Sequence, residues 1–96
     1  MPPAFDPRPI PEDTLNELLR TLSRQREEYL DERDKMYDDW GIAIQEGNDE
    51  LVKFYTKQSK TISRKMSRSF NKTAKIHLEI NNRLRQNWEV RLNRRF

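Results

Sequence analysis

Seven basic residues, Lys53, Lys57, Lys60, Arg64, Arg68, Lys72 and Lys75, recur through the second half of the chain at steps of three and four. At about 100° per residue on a helix they fall within a sector of roughly 120°. They therefore form a line of positive charge, not a scattered excess. No acid interrupts the segment from Lys53 to Lys75. A row of cations along one helix is the electrostatic footprint of contact with phosphates. Ser59, Thr61, Ser63, Ser67, Ser69, Asn71 and Thr73 add short hydrogen-bonding groups among the charges. Further on, Arg83, Arg85, Arg91, Arg94 and Arg95 continue the basic character around Trp88 and Phe96. Arginine interleaved with aromatic rings suits single-stranded RNA, whose bases stack on such rings. RNA is therefore favoured over DNA as the ligand.

Residues for covalent or acid–base chemistry are few. His77 is the only histidine, and there is no cysteine, so neither a disulfide nor a thiolate metal site is possible. A lone histidine beside an apolar seam reads as a boundary packing residue, because metal sites need several converging ligands. Asp38 and Asp39 are neighbours and diverge by about 100° on a helix. No glycine loop that would cradle a phosphate and no nucleophile–base signature is present. The expectation is a protein that is not an enzyme, with no metal, no cofactor and no small-molecule substrate.

The elements that must position the stripe follow from periodicity. All five prolines lie in residues 1–11. Proline lacks the backbone donor and fixes φ, so residues 1–12 read as an extended arm. A frayed terminus is the plainer expectation for it, although Phe5 and Ile10 offer apolar pins. Helix one is expected over about 13–46, opened by a capping box at Thr14 to Glu17. Its apolar positions are Leu15, Leu18, Leu19, Leu22, Tyr29, Met36, Trp40 and Ala43 or Ile44, a three–four alternation once Arg26 and Arg33 are counted on the seam. Gly47, Asn48 and Asp49 form the turn, a left-handed glycine followed by a residue able to cap the next helix. Helix two is expected over about 49–94, with a seam of Leu51, Tyr55, Ile62, Met66, Phe70, Thr73, Ile76, Ile80, Leu84 and Trp88. So short a connection makes the helices antiparallel neighbours. The fold class is all-α, a two-helix hairpin.

The two halves carry opposite charge. Residues 1–48 hold 6 basic and 12 acidic residues, and residues 49–96 hold 13 and 4, for the net charge of +3. Three uses of the stripe are open. Glu27, Glu28, Asp31, Glu32, Asp34, Asp38 and Asp39 of helix one can neutralise it across the hairpin, setting register. It can bind nucleic acid. It can lie on an anionic membrane surface, as basic amphipathic helices do.

The stretch from Arg33 to Asn82 resembles the helical extension that commonly precedes the Smr (small MutS-related) nuclease domain. The matching residues are Arg33, Ala43, Gly47, Leu51-Val52, Lys53, Thr56, Lys60, Met66, Ala74 and Asn81-Asn82, without a gap and over about half of the chain. Trp40, Phe70 and His77 depart from that pattern, and the Asp-Leu-His-Gly type of motif that opens the nuclease core does not follow Asn82. The resemblance implies a helical element that assists nucleic-acid binding and carries no active site of its own.

Only 33% of the residues are hydrophobic and 36% are charged. Two helices alone would leave much of such seams wet, so self-association into a homodimeric bundle, or packing on a helical protein partner, is expected. The chain lacks the basic-then-apolar layout of a secretory signal and any apolar run near the roughly 20 residues of a membrane span. An intracellular location, cytoplasmic or nuclear, is the corresponding expectation.

Overall fold

The computed structural model describes residues 4–95; Pro2 and Pro3 of the arm and Phe96 of the tail lie outside them. Helix α1 runs over Glu12–Gln45 and helix α2 over Asp49–Arg95. They pack antiparallel as a hairpin measuring 73 × 27 × 19 Å. The radius of gyration is 20.3 Å, against about 12 Å for a compact domain of this length. No helix among the described residues is long and apolar enough to cross a membrane.

The turn forms as its residue types require. Gly47 has φ +68°, the left-handed region that costs a side chain and suits glycine. The Asn48 N–H donates to the Ala43 carbonyl at 3.0 Å and the Gly47 N–H to the Ile44 carbonyl at 3.1 Å. These two bonds are the Schellman pair that satisfies the last carbonyls of α1. Asn48 then caps α2, its Oδ1 accepting from the Leu51 N–H at 3.2 Å.

The start of α1 differs from expectation. The helix opens two residues ahead of Thr14, at Glu12, with Pro11 as N-cap and no side-chain cap bond. Thr14 and Glu17 thus lie inside the helix, and the capping box is not made. The rigid proline arm delivers the chain directly into the first turn, where Glu12 and Asp13 meet the positive end of the helix dipole.

The core follows a seven-residue beat. Leu15, Leu22, Met36 and Ala43 of α1 are buried, with half-buried Tyr29 filling the remaining position. Ile62, Ser69 and Ile76 of α2 are buried opposite, with half-buried Tyr55 and Arg83 extending the same row. Leu15 and Ile76 have no exposed surface, and each such side chain contributes about 1.5–3 kcal/mol. Met66, Ile80 and Trp40 are half-buried beside this line. Four expected seam residues are not on it. Phe70 is 69%, Trp88 62%, Leu84 55% and Leu51 39% exposed. The reason is Ser69: a small residue takes the seam position, and the large ring one residue later is turned about 100° away. Leu84 and Trp88 lie where α2 outruns α1, which has no residue to set against them.

The arm is docked, not frayed. Pro7 is buried, and Phe5 and Ile10 pack on the Leu15, Leu22 and Ile76 cluster with Leu18, Leu19 and Ile80. A turn from Pro7 to Ile10 closes with the Ile10 N–H donating to the Pro7 carbonyl at 3.1 Å. Asp6 stabilises it, accepting from the Arg8 backbone N–H at 3.0 Å and from the Arg8 guanidinium at 2.9–3.2 Å. These bonds from Arg8 hold the Asp6 carboxyl below its ordinary value.

Candidate nucleic-acid interface

The hairpin brings the stripe together on one outer face. Lys53, Lys57, Lys60, Arg64, Arg68, Lys72 and Lys75 are all exposed. The seam through Ile62, Ser69 and Ile76 points the other way, so helix packing itself aims the cations at solvent. From Lys53 to Lys75 the stripe is about 33 Å long, with a cation roughly every 5 Å along the axis.

The acids of α1 do not cancel it. Glu27, Glu28, Asp31, Glu32, Asp34 and Asp38 are exposed on the outer face of α1, and Asp39 is half-buried. Three ion pairs occur among the described residues: Arg8–Asp6 at 2.9 Å, Arg33–Asp34 at 3.7 Å and Arg83–Glu79 at 2.9 Å. None joins α1 to α2. The expected neutralisation across the hairpin is therefore absent from these residues. The cause is geometric: both charged sets lie opposite the seam, so the two apolar faces separate them. The molecule has a basic side and an acidic side.

Arg83 has a different task from the one its sequence suggests. Its Nη2 donates to the carbonyls of Arg8 at 3.2 Å, Pro7 at 3.4 Å and Ile10, and its Nε to Glu79 Oε1 at 2.9 Å. A proline-rich arm has carbonyls but few N–H groups of its own to satisfy them. The five-donor guanidinium supplies what is missing. Arg83 is thus an arm clamp. Lys72 and Lys75 are shared: Lys75 Nζ reaches the Phe5 carbonyl at 3.4 Å, and Lys72 Nζ lies 5.9 Å from the Phe5 ring centroid. Sequence reasoning missed this use of the basic residues. The available signal was the run of donor-poor carbonyls in the arm. Arg91 and Arg94 are exposed on the extension of α2 beyond α1.

The hydroxyls among the charges also divide. Thr56, Ser59, Thr61 and Thr73 donate to carbonyls of their own helix at 2.8–3.2 Å, and Ser69 is buried. Ser63, Ser67 and Asn71 remain exposed beside Arg64 and Arg68. On another side of the hairpin a groove of about 550 Å³ runs between Ser23, Arg26 and Tyr29 of α1 and Phe70, Thr73 and His77 of α2. His77 is an exposed lining residue there, not a packed one. No family model matches the chain, and neither does any curated protein or solved structure.

Proposed function

We propose that the chain is a non-enzymatic nucleic-acid-binding module, with RNA the favoured ligand, held along the outer face of α2. The observation that carries this reading is the unpaired stripe: seven exposed cations, none bonded to an acid among the described residues. Lys53, Lys57, Lys60, Arg64 and Arg68 form its free part, and Lys72 and Lys75 continue it beside the arm. The acidic outer face of α1 repels phosphates, so a bound strand is confined to one side of the hairpin. The resemblance of residues 33–82 to the helical extension of Smr nucleases points in the same direction.

Fluorescence anisotropy with labelled single-stranded and duplex RNA tests it. With seven phosphates engaged, log affinity should fall against log salt with a slope of about −5 for a single strand. Arg64→Glu combined with Arg68→Glu should abolish binding while circular dichroism stays helical, since neither residue touches the core. Absence of micromolar binding at about 50 mM salt overturns the reading.

A second reading, a structural subunit that packs on helical partners, is favoured by a separate observation. Phe70, Leu84 and Trp88 expose large apolar surface on a face the stripe does not use.

A further inference from the structure

Helix α2 carries a second exposed line, distinct from the seam, whose large apolar members are Phe70, Leu84, Trp88 and Leu92. Phe70, Ala74, His77, Asn81, Leu84, Trp88 and Leu92 step by 4, 3, 4, 3, 4 and 4. At about 100° per residue they lie within a sector of roughly 80°. All seven are exposed, Phe70, Leu84 and Trp88 by more than half. The line starts at the groove beside Tyr29 and Met66 and runs out along the part of α2 that has no α1 beside it. The proline arm does not close it, because the arm packs on Leu15, Leu22 and Ile76 and bonds Lys75 and Arg83.

Charge identifies what covers it. Residues 84–95 hold four arginines against Glu89. The opposite end of the hairpin, residues 34–50, holds Asp34, Asp38, Asp39, Glu46, Asp49 and Glu50 against Lys35. The acidic end also exposes apolar side chains away from the stripe: Tyr37 50% and Ile44 59%. The two ends are thus complementary to each other, and each repels its own kind. Phe70 stands near the middle of α2, which spans residues 49–95. A two-fold axis at that ring would set each extension on the acidic end of the other copy. Counting residues from it places Trp88 level with Val52 and Arg91 level with Asp49.

We infer that the chain forms an antiparallel homodimer through this line, Phe70 against Phe70 at the centre and each α2 extension on the acidic turn end of its partner. The contact is isologous and closes at two copies. The surface to be covered is ample. The accessible area is 8288 Å², about 2,400 Å² above that of a compact chain of this mass, and a standard interface buries about 1,200–2,000 Å² in total. The basic stripe stays on the outside, so two stripes run antiparallel on one particle. This names the partner that the second reading above leaves open.

The test is sedimentation equilibrium on the full chain without nucleic acid, with spin labels for orientation. The expected mass is twice the 11.7 kDa of one chain. Phe70→Glu should return it to one chain with helicity unchanged, because Phe70 is exposed. The chain has no cysteine, so single labels can be placed at Asn71→Cys and Asn87→Cys. An antiparallel pair centred on Phe70 puts labels at 71 within about 20 Å and labels at 87 about 50 Å apart. A single-chain mass at all concentrations, mass growth beyond two copies, a short separation at 87, or a dimer that survives Phe70→Glu each overturn the inference. A chain that remains single and still binds a helical partner fails the inference without failing the second reading.

Discussion

The two flanks of the hairpin seam are built from similar materials and end differently. On one flank the arm lays Phe5 and Ile10 against the Leu15, Leu22 and Ile76 cluster, and Arg83 ties down its carbonyls. On the other, Phe70 stands in solvent at an open groove, and Leu84 and Trp88 stand in solvent beyond it. Each flank has apolar groups and arginines. What differs is whether the chain itself supplies a cover. The closed flank shows that basic residues of α2 are spent on backbone carbonyls when a donor-poor segment is near. Counting arginines therefore overstates the surface available to phosphates, and of the outer stripe only Lys53, Lys57, Lys60, Arg64 and Arg68 are free of such ties.

The largest break of this comparison comes from the seam that both flanks share. Ile76 is fully buried under the arm. Ile76→Asp leaves a charge without a partner there, which costs several kcal/mol. In a chain with so thin a core both flanks should collapse together, and far-ultraviolet circular dichroism should lose most of its helical signal. Retention of full helicity would show that the two helices form without their packing. Ile76→Ala is the milder form, with an expected loss of about 2–5 kcal/mol in urea denaturation.

Next is the clamp. Arg83→Met keeps the stem and removes every donor, leaving the carbonyls of Pro7, Arg8 and Ile10 to water. The expected loss is about 1–3 kcal/mol, with the arm becoming sensitive to protease while the turn at Gly47 does not. If stability and cleavage are unchanged, the arm is held by Phe5 and Ile10 alone.

What the sequence made legible follows from which forces act locally. The two helices, the Gly47 turn and the exposed face of the stripe rest on period and φ, both readable residue by residue. The phase of the α2 seam was not readable, because two apolar lines overlap there, and a buried Ser69 beside an exposed Phe70 inverts the usual size rule. The arm was misjudged because its cover depends on Arg83, more than 70 residues away, and on Lys75. The expected acid–base pairing failed for a reason that charge counts do not contain: seam geometry puts the two sets on opposite outer faces.

A smaller effect on the closed flank is set by pH. Hydrogen bonds from Arg8 hold the Asp6 carboxyl below the usual carboxylate range. A carboxyl depressed in the folded state contributes stability above its unfolded value and loses it as pH falls through the folded one. Acidification below about pH 4 should therefore release the Asp6–Arg8 clasp, seen as a shift of the Arg8 Nε–H resonance. Asp6→Asn should remove this titration, and an unchanged low-pH profile in that variant would place the effect elsewhere.

The smallest effect should lie on the open flank, and it is the sharpest test of the contrast. Trp88 is 62% exposed and α1 offers it no neighbour in the single chain. At concentrations low enough to keep copies apart, Trp88→Ser should change unfolding free energy by less than about 0.5 kcal/mol, as surface substitutions do. Ile10→Ser, in the docked arm itself, removes an apolar side chain packed on Leu15, Leu22 and Ile76 and should cost measurably more. The pair is informative because side-chain size alone ranks the tryptophan first, whereas packing on the chain's own core ranks the isoleucine first. Equal losses would mean that the α2 extension folds back on its own hairpin. The open flank would then be closed from within, and no second copy would be needed to cover it.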